Sequence, residues 1–287
     1  MSGGRWVRVS KDLRCPICGH RDWCLVSEDG TAAICPRTPS DKRVGDAGWL
    51  HRLGPDSNLP PPRMVVKTDR QRVPPREVAA LARRCQQAAE HAGKLEEFAE
   101  QLGLSADSLR TFGVGWLKAE RCSTWPMAGA KGTLVGINRR FYDGAKRVVR
   151  GHRAGLYVPT DLPLDLCGAT LLICEGGTDA IAAREMGFAA VGRFSCTHGA
   201  RMLVRFVREH LPGMVVIVAD RDGPGRRGAK CLASALLPYV TELKSIHPPP
   251  PHEDLRAWRI AGAETDEVQH QIESAPVRRL KVRVSQA

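Results

Sequence analysis

Leu171-Leu172-Ile173-Cys174-Glu175-Gly176-Gly177-Thr178-Asp179 and Met214-Val215-Val216-Ile217-Val218-Ala219-Asp220-Arg221-Asp222-Gly223-Pro224-Gly225 are the two pieces of sequence that decide the fold. Each is a short apolar run that stops abruptly on acidic residues. Ala180, Ile181, Ala182, Ala183 and Met186 follow the first at helical spacing. Apolar runs this short, alternating with helical segments, read as buried parallel strands of a doubly wound α/β sheet. Such sheets bind their ligands beyond the carboxyl ends of the strands. Glu175, Asp220 and Asp222 are therefore expected to converge on one crevice. Carboxylates packed closely repel each other unless a cation or a proton intervenes. Hard oxygen donors favour Mg²⁺ or Mn²⁺ over zinc. Either piece alone would read as a helix cap at Thr178 and Asp179, or as an ordinary turn at Asp220 to Gly223. Both together, each at a strand tip, argue for a site.

On these residues the stretch resembles the toprim domain, the metal-binding catalytic module of bacterial primases, topoisomerases and some nucleases. Glu175-Gly176-x-x-Asp179 is similar to its first motif. Asp220-x-Asp222-x-x-Gly225, followed by Ala229, is similar to its second in the form primases use. The resemblance implies a four-stranded parallel core and a divalent metal held by Glu175, Asp220 and Asp222. Asp179 would orient the first motif or contact the metal ligands from behind.

The 287 residues suffice for two or three modules with a sizeable core. No segment approaches the roughly eighteen continuous apolar residues of a membrane span, and no signal-peptide pattern opens the chain, so a soluble, cytoplasmic protein is expected. The formal charge of +12 points to a polyanionic partner. Ten cysteines without a secretion signal argue against a disulfide framework.

Four of those cysteines crowd into residues 1–55. Cys15-Pro16-Ile17-Cys18-Gly19-His20 is a zinc knuckle by sequence, and Cys24 and Cys35 flank the turn Ser27-Glu28-Asp29-Gly30. A hairpin there would return Cys35 to the knuckle and complete a tetrahedral site, with Cys24 or else His20 as the remaining ligand. So small a module has too little core to fold alone, and Zn²⁺ would supply the missing stability. The module resembles the zinc ribbon that precedes the catalytic core in bacterial and phage primases. That likeness implies contact with single-stranded template. Trp6, Trp23 and Trp49, with Arg5, Arg8, Arg14, Arg21 and Arg37, offer the stacking and charge such contact needs. Trp23 at least is expected to sit in the ribbon's small core.

Residues 56–75 are proline-rich and poor in apolar side chains, the composition of a linker. Residues 76–165 then form a helical and basic β region. A helical period runs through Val78, Leu81, Ala82, Cys85, Ala88 and Ala89, a second through Leu95, Phe98, Ala99 and Leu102, and Ser105 caps a short third helix. Leu134 to Phe141 is strand-like, with a hairpin turn at Asp143-Gly144. Lys131, Arg139, Arg140, Lys146, Arg147, Arg150 and Arg153 face one acid, Asp143, over this segment, a density suited to phosphates. Gly136-x-x-x-Arg140, followed by Gly155-Leu156-Tyr157, resembles the N-terminal subdomain of the primase core. The likeness implies template or nucleotide-phosphate contact by Arg139, Arg140, Lys146, Arg147 and Arg150.

Residues 166–265 would be the toprim domain and 266–287 a basic tail with Arg278, Arg279, Lys281 and Arg283. Arg201, Arg205 and Arg208 share one helix face, which reads as solvated. Lys230, expected one turn into the helix after Asp222, could reach a phosphate. Asp254 matches the third acidic motif of primases and equally reads as a helix N-cap.

The expected function is DNA-templated synthesis of short RNA primers from ribonucleoside triphosphates on single-stranded DNA. A toprim nuclease and a non-catalytic nucleic-acid-binding protein are the alternatives. No Walker-type Gly-x-x-x-x-Gly-Lys-Ser/Thr occurs, so a replicative helicase on a separate chain is the implied partner. The compact length suggests a primase of a phage or mobile genetic element.

Overall fold

The protein is described by a computed structural model over residues 6–54 and 72–279. Arg5, linker positions 56–71, Lys281 and Arg283 lie outside the described residues. The chain divides into two compact units, one within the first 70 residues and one beyond them.

The first unit is an antiparallel sheet of β1 (Trp6–Arg8), β2 (Leu25–Ser27), β3 (Ala32–Cys35) and β4 (Trp49–Arg52), in that order. The expected turn joins β2 to β3. Asp29 accepts from the Thr31 amide at 3.1 Å, and Gly30 takes the left-handed conformation at φ 71°. Among the described residues its buried apolar core is Val9, Cys15, Cys24, Val26, Ala33, Ile34 and Cys35. Three of the seven are thiols.

The second unit begins with α1 (Pro75–His91), α2 (Lys94–Leu102) and α3 (Ala106–Thr111), where Ser105 accepts from the Ser108 amide as its cap. Next come β5 (Gly115–Leu117), β6 (Cys122–Ala128), β7 (Leu134–Arg140), β8 (Lys146–Val148) and β9 (Leu156–Tyr157). The Asp143-Gly144 turn joins β7 to β8. After them the chain alternates: β10 (Thr170–Cys174), α4 (Gly177–Glu185), β11 (Ala189–Arg193), α5 (Ala200–His210), β12 (Met214–Val218), α6 (Gly223–Leu236) and β13 (Glu242–Ile246). Two helices, α7 (Leu255–Ile260) and α8 (Thr265–Ser274), follow.

One nine-stranded sheet runs through this unit in the order β13-β12-β10-β11-β9-β6-β7-β8, with β5 pairing β6. Pairings among β13, β12, β10 and β11 are parallel, which is the expected four-stranded core. Successive residues of a strand face opposite sides, and the burial follows that rule. Leu171, Ile173, Val215 and Ile217 pack beneath α5 and α6. Leu172, Cys174, Val216 and Val218 pack beneath α4, α7 and α8. The sheet is therefore covered on both faces.

Strand β9 pairs antiparallel with both β11 and β6, so one sheet continues from the basic strands into the parallel ones. The helical region is tied in as well. Arg256 and Arg259 of α7 donate to the carbonyls of Leu102 and Gly103 at 3.0 and 2.9 Å. The described start of the tail lies along β13, with the Arg278 amide donating to the Leu243 carbonyl at 2.8 Å. Among the described residues, no helix is long and apolar enough to cross a membrane.

Candidate active site

The C-terminal ends of β10 and β12 deliver Glu175 and Asp220, and the helix starts that follow deliver Asp179, Asp222 and Asp254. Two glycines make the first turn possible. Gly177 lies flat against the Trp125 and Tyr157 rings, where an added Cβ would come within 3.0 and 3.1 Å. Gly192 of β11 abuts the Gly176 backbone, leaving no room for a side chain.

The charges of these acids bear on Asp220 and Asp179. Burial, then the charges of Asp179, Glu175, Asp254 and Asp222, push the Asp220 carboxyl up to about 8. Burial and Asp254 raise Asp179 to about 6, against the pull of the Arg256 amide, Arg256 and Arg140. The Arg256 amide donates to Asp179 at 3.1 Å. Asp222 and Asp254 each spend one oxygen as a cap, accepting from the Gly225 and Ala257 amides at 2.6 Å. Asp254 is the N-cap of α7, and its charge bears on Asp179 and Asp220.

Glu175 has a partner that the sequence reading passed over. Arg193, at the end of β11, donates to it at 3.2 Å, and both side chains are nearly inaccessible, at 3% and 11% exposure. The signal was a lone arginine closing an apolar strand. Arg256 was missed too, because its role begins with a backbone amide that any residue would supply.

Among the described residues, the four cysteines are the group whose ligand atoms all lie within 4.8 Å of one another; no three carboxylates close that far. The acids nonetheless suit a hard cation. Burial and then four neighbouring carboxylates favour the protonated form of Asp220, and a divalent ion among those oxygens would relieve the repulsion.

Arg140 and Lys146 adjoin this crevice. The Arg140 guanidinium lies 4.0 Å from the Trp125 ring centroid and 5.9 Å from that of Tyr157. Burial pulls it below its ordinary value, Asp179 acts on it in the opposite sense, and its buried Nε has no hydrogen-bond partner. Lys146 is lowered by Arg140 first and then by burial, against Asp179 and Asp220. Both help line a cavity of about 260 Å³ with Phe98, Trp125, Phe141 and Tyr142. Arg139 is engaged elsewhere, pairing with Glu120 and stacking on Phe141. Arg147 also lies over Phe141, and Arg150 is exposed. Lys230 is exposed two turns into α6 rather than one, because that helix opens at Gly223. Arg201, Arg205 and Arg208 form the expected solvated face of α5.

In the first unit, Cys15, Cys18, Cys24 and Cys35 converge. Cys18 to Cys24 is 3.6 Å and Cys24 to Cys35 is 3.9 Å between sulfurs. Tetrahedral zinc with bonds of about 2.3 Å sets thiolates roughly 3.8 Å apart, so the cluster fits zinc. Burial alone would raise Cys18, but hydrogen bonding by the His20 amide and the neighbouring thiols brings it down to about 6. Burial and the same thiols push Cys24 up, as expected of ligands crowded without their cation. Cys24 is thus the fourth member, while His20 turns to the Cys18 carbonyl at 2.9 Å. Trp23 departs from expectation. Its backbone is left-handed at φ 63°, which throws the ring outward to 66% exposure, 5.8 Å from the Arg8 guanidinium.

No family model and no curated protein sequence matches the chain. Solved structures do. The Escherichia coli primase catalytic core is similar at 16% identity, covering 71% of this chain and 80% of that one, with a TM-score of 0.57. A DnaG primase catalytic domain bound to single-stranded DNA is similar at 17% identity, over 70% and 80%, with a TM-score of 0.56. The zinc-binding and RNA polymerase domains of the Aquifex aeolicus primase are similar at 15% identity, over 72% and 63%, with a TM-score of 0.56. The second unit therefore has the fold of a DnaG-type primase catalytic core. Ahead of it the chain carries a four-cysteine cluster.

Proposed function

We propose that this protein is a DNA primase that builds short RNA primers on single-stranded DNA. The observation that carries the proposal is Asp220, pushed to about 8 by burial and by four other carboxylates gathered at the tips of a parallel sheet and the helix starts beside them. Carboxylates crowded at such a cost to their own ionisation suit a site built for cations and phosphates. The primase-core fold and the basic strands in the same sheet support a polymerase over a nuclease.

Glu175, Asp220 and Asp222 would hold Mg²⁺ or Mn²⁺, with Asp179 and Asp254 adding negative charge around them. When bound, the ion would screen these carboxylates, acidify the attacking 3′-hydroxyl and neutralise the leaving pyrophosphate. The chain's own groups do the rest. Arg140, braced on Trp125, and Lys146 sit where a triphosphate or template phosphate would approach the acids. Arg147 and Arg150 extend the positive charge along β8 and beyond, giving grip without sequence preference. Arg139, already paired with Glu120, supports the strand more than it offers charge. Lys230 would meet nucleic acid only at the outer surface of α6.

In the first unit, zinc held by the four cysteines would stabilise a ribbon whose exposed Trp23, beside Arg8, is free to stack on a template base. Ribonucleoside triphosphates are the proposed substrates, and a separate helicase the proposed source of single strands. The test is a gel assay with labelled ribonucleotides, single-stranded template and Mg²⁺. Extended products from the natural chain and none from Asp220→Ala, with folding and DNA binding retained, are expected. Template degradation would instead mean a nuclease, and a gel shift without products a binding protein. Either outcome refutes the proposal.

A further inference from the structure

The best-buried arginine near the acids, Arg193, contributes nothing to the basic surface. It ends β11, whose parallel register sets Gly192 beside Cys174 and so brings Arg193 alongside Glu175. At 2% exposure it is shut away from solvent. Its Nη1 donates to the Cys196 carbonyl at 2.8 Å and to the Gly228 carbonyl at 3.3 Å, and its Nη2 to Glu175 Oε2 at 3.2 Å. Gly228 belongs to α6, the helix whose N-cap is Asp222. The close fit requires a glycine there, since an added Cβ would meet the Cys196 carbonyl oxygen at 2.6 Å and the guanidinium at 3.1 Å. One planar fork therefore braces three things at once: the acid after β10, the turn after β11, and the helix that carries Asp222.

We infer that Arg193 is a positioning residue that fixes Glu175 for nucleotidyl transfer and sets how tightly the acidic crevice takes a divalent cation. The inference rests on the primase reading of the same site. Its guanidinium engages Oε2 and so fixes the direction in which the Glu175 carboxylate faces the crevice. A guanidinium is a fixed positive charge, and at this range it repels a second cation entering the crevice. Crowded acids alone would trap the ion. Arg193 tempers that attraction while holding Glu175 in one direction. Lysine cannot reproduce this, because a single ammonium cannot span two carbonyls and a carboxylate in the fork geometry.

Charge and geometry can be separated in the full-length, zinc-loaded chain. Mn²⁺ binding is followed by electron paramagnetic resonance, primer synthesis at saturating Mn²⁺ by gel, and folding by thermal melting. Arg193→Met is expected to bind Mn²⁺ at least about tenfold tighter, with kcat lowered by at least about tenfold. A merely structural lesion would weaken both. Arg193→Lys, which keeps the charge, is expected to bind Mn²⁺ within about threefold of the natural chain yet still lose kcat. Should Arg193→Met not fold, Arg193→Gln carries the same affinity measurement. Unchanged or weaker Mn²⁺ binding by the uncharged variant overturns the electrostatic role. Full kcat in Arg193→Lys overturns the positioning role. A natural chain that neither binds Mn²⁺ nor makes primers would sink the primase reading instead, which keeps the two failures apart.

Discussion

Replacing Asp220 with asparagine should make the zinc-loaded, magnesium-free protein more stable at mildly alkaline pH. The carboxyl rises from its ordinary 3.8 to about 8 in the folded state. The native state therefore holds a proton that the unfolded chain has released, and stability falls as pH climbs through that interval. Among the acids of the second unit Asp179 is raised only to about 6, so with zinc kept on the cysteines the interval from about pH 6 to pH 8 belongs to Asp220. Two pH units at 1.36 kcal/mol each set a ceiling of about 2.7 kcal/mol, and partial solvent access brings this to roughly 1.5 kcal/mol. For a unit of this size that is a fall of about 3–6 °C in Tm. Thermal melts by circular dichroism in magnesium-free buffer would show the fall in the natural chain. Asp220→Asn should give a flat profile over the same range. Excess Mg²⁺ at about pH 8 should raise the Tm of the natural chain and leave the variant nearly unmoved. A natural profile that is flat or rises with pH, or an equal slope in Asp220→Asn, would refute the reasoning.

Other outcomes follow from the same geometry. Cys24→Ser should abolish stoichiometric zinc by atomic absorption and open the first unit to protease, because binding contributes on the order of 10 kcal/mol to folding such modules. Arg140→Ala should slow primer synthesis by about tenfold or more while melting changes little, since the lost cation faces the crevice. Arg147→Glu together with Arg150→Glu should weaken template binding and reduce the slope of log affinity against log salt by about two or more, read by fluorescence anisotropy. Leu172→Ala, at a fully buried position on the central strand, should cost about 3 kcal/mol by urea unfolding.

Sequence reasoning reached furthest where chemistry and period coincided. The apolar runs before Glu175 and Asp220 read as buried strands, and their successive residues divide between the two covered faces of the sheet. The cysteine spacing gave the cluster, although only the folded hairpin decides between Cys24 and His20. Less legible were contacts made by backbone. Asp179 is held by the Arg256 amide, a donor that leaves no trace in residue type. Arg193 escaped because arginine at a strand end usually reaches solvent, and only the register of β11 against β10 turns it inward. Tryptophan is highly buried on average, which favours the core for Trp23. A left-handed backbone at that residue reverses its direction, and that conformation has no local signature in a non-glycine residue. The basic segment likewise looked uniform, whereas Glu120 neutralises Arg139 and an aromatic floor singles out Arg140.

The two-residue strand Leu156–Tyr157 bonds on one side to β11 and on the other to β6. Cutting the gene near codon 165 would strip a neighbour from each half and leave unsatisfied amides and carbonyls along both raw margins. Fragments made that way should stick to one another rather than behave as separable modules. Any attempt to isolate the acid-bearing part must carry the strands before it.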